Sequence, residues 1–272
     1  MVHNTHIKQV ICINWGTKYG PTFINRLYGM VARNITPPFS FTCFTDSADG
    51  VRTEVRCEPL PPLDVEMPVN TLGIWPKARL WGPELADLKG NVLFLDLDMV
   101  IVGNLDPFFE FGDPDDVILS RNPSKPLERL GQTSLFRFPV GKLVSLQERF
   151  RDNPQAVADE YRFEQRFVTR NAPDGIKLFP RGWVRHFRRD CRRTFPLNYF
   201  LAPRLPKNAR VVIFPGGLHP QHAIEGRYGP GLPTTARGHL CQMFAGKWPR
   251  KPLSYLRHYI RPSPWVADHW RD

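Results

Sequence analysis

Asp96-Leu97-Asp98 stands at the end of an apolar run: Val92, Leu93, Phe94 and Leu95 precede it, Met99, Val100, Ile101 and Val102 follow, and Gly90 and Gly103 bound the stretch. A short, nearly uniform apolar run predicts a strand buried on both faces of a parallel sheet. In extended chain, residues two apart point to one side, so the two carboxylates can converge while Leu97 faces the other way. Carboxylates that close are costly unless a cation sits between them, and Mg2+ or Mn2+, which take hard oxygen ligands, would fill that place. Open parallel sheets bind ligands beyond the carboxyl ends of their strands, where this pair lies. The alternative is a polar strand end with two solvated acids.

The segments around the pair alternate strand with helix. Ile7 to Trp15 predicts a first strand, ended by the turn Gly16 to Pro21. Phe23, Leu27, Met30 and Val31 recur at helical spacing until Asn34 and Pro37-Pro38 stop the helix. Phe39 to Thr45 and Val51 to Cys57 predict two more strands, and the prolines from Pro59 to Pro68 exclude regular structure after them. Trp75-Pro76 opens a helix that carries Lys77 and Arg79 toward the acids. Beyond Gly103, Asn104 can cap a short turn, Asp116 to Ser120 and Thr133 to Phe138 predict strands, and Lys142 to Arg151 and Gln155 to Arg170 predict helices split by Asn153-Pro154. One more strand, Arg210 to Phe214, precedes Pro215-Gly216-Gly217-Leu218-His219-Pro220. This alternation implies an α/β layer fold with a mainly parallel central sheet.

A paired carboxylate, a cationic helix just upstream and a glycine-rich turn after a late strand together suit a diphosphate held by a metal, cations and backbone N–H groups. On these segments the sequence resembles the GT-A glycosyltransferases, most closely the glycogenin-like and bacterial galactosyltransferase-like group. FLDLDMVIVGNLDPFF is similar to that group's metal-binding segment, IWPKARLW to its preceding helix and GTKY to its first-strand turn. The resemblance implies a GT-A, Rossmann-like fold over 1–222, with 223–272 a basic aromatic C-terminal extension. It implies a hexosyltransferase that moves a sugar from a nucleotide donor, UDP foremost, to a hydroxyl of a glycan or lipid-linked acceptor in polysaccharide biosynthesis, and it favours retention of anomeric configuration.

Carried over residue by residue, Asp98 would ligate Mn2+ or Mg2+, and Asp96 would share the metal and reach the ribose. Tyr19 would pack on the base with Trp15 beside it. Lys77 would face the phosphates and donor sugar, and Thr133-Ser134 stands near the sugar-contacting segment. Glu164-Gln165 resembles an Asp-Gln pair beside the anomeric carbon, with Glu164 the base or cation stabiliser; the alternative places Glu164 on the exposed side of an amphipathic helix. The group's late strand is followed by His-Phe-x-Gly-x-x-Lys-Pro, whereas this chain has Ile213 in place of the metal His and His219 in place of the Lys, with Gly216 retained. The third protein ligand is then absent, or supplied by His219 or His222.

With 272 residues, 42% of them hydrophobic, the chain can bury a substantial core. Its five cysteines are scattered without a CxxC pair, so neither a disulfide framework nor a zinc site is suggested, and Cys12 and Cys43 read as buried thiols. No apolar run suits a signal peptide or membrane span, which gives the expectation of a cytoplasmic protein. The net charge of +11 is concentrated: Met1 to Phe136 holds 12 basic and 16 acidic residues, and the remainder 25 and 10. Arg181, Arg185, Arg188, Arg189, Arg192 and Arg193, with Trp248, Tyr255, Tyr259, Trp265 and Trp270 further on, suit peripheral contact with an anionic membrane at its inner face. The alternative is a solvated basic face with aromatic residues that close the core. No motif points to specific nucleic-acid binding. Two rival functions remain: a catalytically impaired nucleotide-sugar-binding protein, because the metal His is missing, and a haloacid-dehalogenase-type phosphatase, whose Asp-x-Asp belongs on a first strand rather than some 90 residues into the chain.

Overall fold

The computed structural model describes residues 7–122, 128–214, 216–229, 231–245 and 252–272; Pro215 and Trp248, both singled out above, lie outside them. The strands in chain order are β1 (Lys8–Asn14), β2 (Phe39–Thr45), β3 (Arg56–Glu58), β4 (Asn91–Leu95), β5 (Met99–Ile101), β6 (Ile118–Arg121), β7 (Gly131–Pro139), β8 (Lys177–Leu178), β9 (Val184–His186) and β10 (Val211–Ile213). The helices are α1 (Pro21–Asn34), α2 (Asp106–Glu110), α3 (Val144–Asp152), α4 (Pro154–Tyr161), α5 (Glu164–Asn171), α6 (Pro220–Glu225), α7 (Ala236–Phe244), α8 (Pro252–Leu256) and α9 (Pro264–His269). Two compact units are formed: Met1–Tyr28, Ile35–Leu97 and Asn104–Arg181 make the first, and Gly29–Asn34, Asp98–Gly103 and Gly182–Asp272 the second. The expected extension from 223 belongs wholly to the second unit.

The first unit is built on a sheet of order β3-β2-β1-β4-β7-β6-β8. Every neighbouring pair is parallel except the two that involve β7, so β7 alone opposes the others in that sheet. In β1, Val10, Ile11, Cys12 and Ile13 are all buried, as are Val92 to Leu95 in β4. Consecutive burial means that both faces of the sheet are covered, which explains why these strands show apolar runs instead of alternation. Pro21 opens α1, whose Ile24, Leu27, Met30 and Val31 form its buried stripe. The third strand is shorter than Val51 to Cys57. Val51 and Val55 close turns on the carbonyls of Ala48 and Arg52, which leaves only Arg56–Glu58 free to pair with β2.

The helix expected over Gln155 to Arg170 is two. Arg162 adopts a left-handed φ of +65° and donates its N–H to Ala158, closing α4, and Phe163 is extended before α5 begins. Glu164 therefore enters at the first turn of a new helix, where it is buried rather than lying along an exposed face.

The second unit holds a small sheet of order β5-β10-β9, with β10 antiparallel to β5 and parallel to β9. Strands β8 and β9 escape sequence patterning because two or three residues show no period. Phe187 stacks on Phe214 at 4.6 Å between centroids, and Trp265 donates its indole N–H to the Pro203 carbonyl at 3.1 Å. Tyr255, Tyr259 and Trp270 are buried. These three rings help close the core of this unit, while Trp265 is half-buried. Among the described residues, no helix is long and apolar enough to cross a membrane.

Candidate active site

Strand β4 ends at Leu95, and the chain turns through Leu97 and Asp98 before β5. The extended geometry expected over the acid pair is thus replaced by a turn, because Met99–Ile101 pairs with β10 in the other sheet. Leu97 is buried and both aspartates are half-buried. The boundary between the units falls between Leu97 and Asp98.

In the first unit, Asp96 is fixed by its backbone and its side chain. Its N–H donates to the Ser134 carbonyl at 2.9 Å, and its carboxylate meets the Lys77 ammonium at 2.7 Å. Lys77 comes from a 3-10 helix, Trp75–Trp81, pinned by the stack of Trp75 on Phe150 at 5.3 Å. With 3% of its surface exposed, Lys77 also donates to the Thr133 carbonyl at 3.1 Å and lies 4.9 Å from the centre of the Phe94 ring. A buried ammonium requires such company, since burial without a partner is costly. Arg79, on the same short helix, turns elsewhere and donates to the Pro61 carbonyl at 2.8 Å.

Thr133 links Lys77 to Glu164. Its hydroxyl donates to one Glu164 carboxylate oxygen at 3.0 Å, while the Ile74 N–H donates to the other at 2.8 Å. Glu164 therefore holds the entry of the Lys77 helix against β7. Gly73 makes this approach possible: its φ is +101°, and a Cβ there would lie 2.7 Å from the Glu164 oxygen and 3.1 Å from the Phe163 Cα. Gly73→Ala should cost roughly 3 kcal/mol, from backbone strain and overpacking together. Gly90→Ala is the comparison, since Gly90 also has positive φ, at +67°, but nothing within 4 Å of an added Cβ. It should cost about 1 kcal/mol, and equal denaturation midpoints for the two variants would contradict the packing account.

In the second unit, the Asp98 carboxylate lies 3.7 Å from the His219 Nδ1. That is too long for a hydrogen bond, yet shorter than twice a metal–ligand bond of about 2.1 Å. His219 precedes α6, and its backbone N–H donates to the His222 Nδ1 at 3.1 Å, which commits that nitrogen as an acceptor. Burial lowers the His222 pKa below its ordinary value. Gly216 and Gly217 both have positive φ, +80° and +77°, and the Arg188 guanidinium donates to the Gly216 carbonyl at 3.0 Å. Ile213, in the place of the resembled group's metal His, is buried in β10 opposite Met99.

Asp98 and His219 are a carboxylate oxygen and an imidazole nitrogen within reach of one divalent ion. Among the described residues no three His, Cys, Asp or Glu side chains converge on one point. Mg2+ and Mn2+ commonly keep waters and take substrate phosphates as further ligands, so two protein donors can suffice, and the imidazole nitrogen suits Mn2+ better than the harder Mg2+.

Trp15 and Tyr19 lie past the carboxyl end of β1. Trp15 is exposed, and Tyr19 packs on Phe23 with the Lys18 ammonium 4.7 Å from its ring centre. The Gly16 N–H donates to Asp46 at 2.7 Å, which ties this turn to the end of β2. Gln165 is half-exposed, and its carbonyl accepts the Thr169 hydroxyl at 2.6 Å. Gly73 is a site-forming residue that patterning misses, because a glycine before Ile74-Trp75 carries no signal until the chain folds; Arg188, named above only among six arginines for a membrane surface, is placed at the Gly216 carbonyl by the fold.

A mainly parallel sheet with one opposed strand, with acids beyond the end of its central strand, is the GT-A, Rossmann-like fold of nucleotide-diphospho-sugar transferases. Among solved structures, the galactosyltransferase LgtC in complex with donor and acceptor sugar analogs matches with a TM-score of 0.54 at 16% identity, over 91% of this chain and 98% of that one. An active-site mutant of LgtC matches at 0.56 and 13%, over 92% and 99%. The glycosyltransferase GlyE of Streptococcus pneumoniae TIGR4 matches at 0.56 and 10%, over 92% of this chain and 63% of that one. No family model and no curated protein matches the sequence.

Proposed function

We propose that the chain is a metal-dependent glycosyltransferase that moves a sugar from a nucleotide donor, UDP-linked, to a hydroxyl of a glycan or lipid-linked acceptor. Fold alone hosts many chemistries, so the reading has to stand on the site. The observation that carries it is the approach of Asp98 to His219: it offers an oxygen–nitrogen donor pair from the acid motif and the glycine-rich turn, and so a substitute for the absent metal His. The ion held there would neutralise negative charge that grows on the departing diphosphate. Asp96, aimed by Lys77, is the other acid of the motif, and Lys77 acts on the reaction by positioning it. Glu164, whose two oxygens accept from Thr133 and Ile74, acts as a positioning residue for the Lys77 helix, beside its expected part as base or cation stabiliser. In a retaining transfer, which the resemblance favours, the departing phosphate would take the acceptor's proton from the same face. Trp15 and Tyr19 supply rings for the base, and peripheral contact with anionic membrane would rest on the arginines of the second half without help from the buried aromatics.

Asp98→Ala should abolish the Mn2+-dependent part of donor binding, read as the thermal shift given by UDP-sugars with and without metal, and should remove slow donor hydrolysis. Unchanged turnover in this variant would overturn the metal assignment. A second reading, a nucleotide-sugar binder without transfer activity, is favoured by the burial of Ile213 at the missing ligand's place. It expects a donor-induced thermal shift in the unsubstituted protein with no hydrolysis at any metal concentration.

A further inference from the structure

We propose that Arg188 and Arg192, converging on the Tyr228 ring beside the Gly216-Gly217 turn, form a site for a phosphoryl dianion. Both guanidinium carbons lie over one ring, at 5.0 and 5.4 Å from its centre, and that ring is 9% exposed. Contact with the same ring keeps the two guanidinium carbons within roughly 10 Å of each other, where like charges repel, more so beside buried surface than in open water. Their existing partners do not relieve the repulsion, because every one is neutral. Arg188 donates to the Gly216 carbonyl at 3.0 Å; Arg192 donates to the Tyr228 hydroxyl at 3.2 Å and to the Arg257 carbonyl at 2.7 Å.

Carboxylates are scarce here. Gly182 to Asp272 holds 16 basic and 4 acidic residues. Glu225 is taken by Arg227 at 3.1 Å, and Asp190, which lies between the two arginines in sequence, accepts the His186 N–H at 2.8 Å. Among the described residues, neither Arg188 nor Arg192 has a carboxylate within ion-pair reach. The Arg188 Nε is moreover buried with no hydrogen-bond partner, an arrangement that costs stability unless a ligand completes it. Each guanidinium carries five N–H donors, and the forks match phosphate oxygens in pairs. The ring and the bond to Gly216 hold the forks in place beforehand, so little freedom is lost on binding.

The probe is inorganic pyrophosphate, titrated calorimetrically in metal-free buffer containing a chelator, so that success or failure is independent of the Asp98–His219 reading. Saturable binding is expected. Arg192→Gln and Arg188→Gln should each weaken it by at least 10-fold, and Arg188→Lys, which keeps the charge but loses the fork, by an intermediate factor. Arg237→Gln, an equal charge change on α7, should stay within twofold. If Arg188→Gln fails to fold, Arg192→Gln and Arg188→Lys decide. Competition by UDP would identify a nucleoside diphosphate as the source of the phosphoryl group, competition by phosphatidic acid vesicles a lipid headgroup, and neither a free diphosphate. Absence of saturable binding, or an Arg237→Gln loss equal to that of Arg192→Gln, would overturn the site and leave only diffuse positive charge.

Discussion

Lys77→Met is expected to lower stability by about 3 kcal/mol, because removing one partner of a buried ion pair strands the other. The substitution keeps the length of the side chain, so the packing against Phe94 and the Trp75–Trp81 helix is largely conserved. What it removes is the ammonium between Asp96 and the Thr133 carbonyl, 2.7 and 3.1 Å away. Asp96 retains 24% side-chain exposure and can recruit water, which holds the loss below the upper end of the range for buried pairs. The melting temperature should fall by on the order of 10 °C for a chain of this size. Adding Asp96→Asn should recover much of the stability, since an amide needs no counter-charge, and the double-mutant cycle then measures the pair itself. Turnover should behave differently. If the Asp96 carboxylate must be held in one orientation by the ammonium, the single variant loses about 10²-fold in kcat, and the stability-recovered double variant, which lacks the carboxylate, remains as slow. A double variant restored in both stability and turnover would contradict a functional role for Asp96.

The sheet could be read from the sequence wherever punctuation and pattern agree. Phe39–Thr45 emerges residue for residue because Pro37-Pro38 precede it and Asp46 follows, and Asn91–Leu95 emerges because an unbroken apolar run needs two covered faces. The acids were visible for the same reason, standing where that run stops. What escaped depends on partners distant in sequence. The turn at Leu97-Asp98 arises because Met99–Ile101 pairs with β10, more than a hundred residues later, and no local signal separates it from a continuing strand. Arg162 carries no mark of its left-handed backbone, since arginine is not a residue that prefers it, so α4 and α5 read as one helix. Glu164 reads by resemblance as a site carboxylate, or else as a polar helix face, and its burial beside Gly73 appears only in the fold. The displaced His219 could be named as one of two candidates, but only the fold sets it opposite Asp98, while His222 turns back to the His219 backbone.

Acid should unfold the second unit before it titrates most carboxylates, and two buried histidines set the range. His239 is fully buried, stacked on Tyr255 at 4.0 Å, with its Nδ1 2.8 Å from the Tyr199 hydroxyl and with Tyr259 and His258 also facing it. Burial first, and then the His258 charge, push its pKa down to about 4. His186 is likewise pushed down to about 4, chiefly by burial, with Arg188 and Arg189 reinforcing the shift and Asp190 opposing it. Both rings are therefore neutral when folded, and the unfolded chain, with its ordinary histidine pKa near 6.5, takes up the protons first. Stability from this source is complete above about pH 6.5 and is lost as the pH falls toward 4. Each group contributes on the order of 3 kcal/mol, and the pair together a large part of a typical folding free energy. His222 and His269 are shifted the same way by burial and add to the trend. Glu225, whose pKa is lowered chiefly by Gln221 with Arg227 assisting, loses its contribution only below the ordinary carboxylate range, so the window from 6.5 to about 4.5 belongs to the histidines. Thermal unfolding between pH 7.5 and 4.5 should show a steep decline that His239→Gln makes shallower by about half, because glutamine can still meet the Tyr199 hydroxyl but cannot take a proton. A pH profile for His239→Gln parallel to that of the unsubstituted protein would show that the buried ring is not what acid attacks.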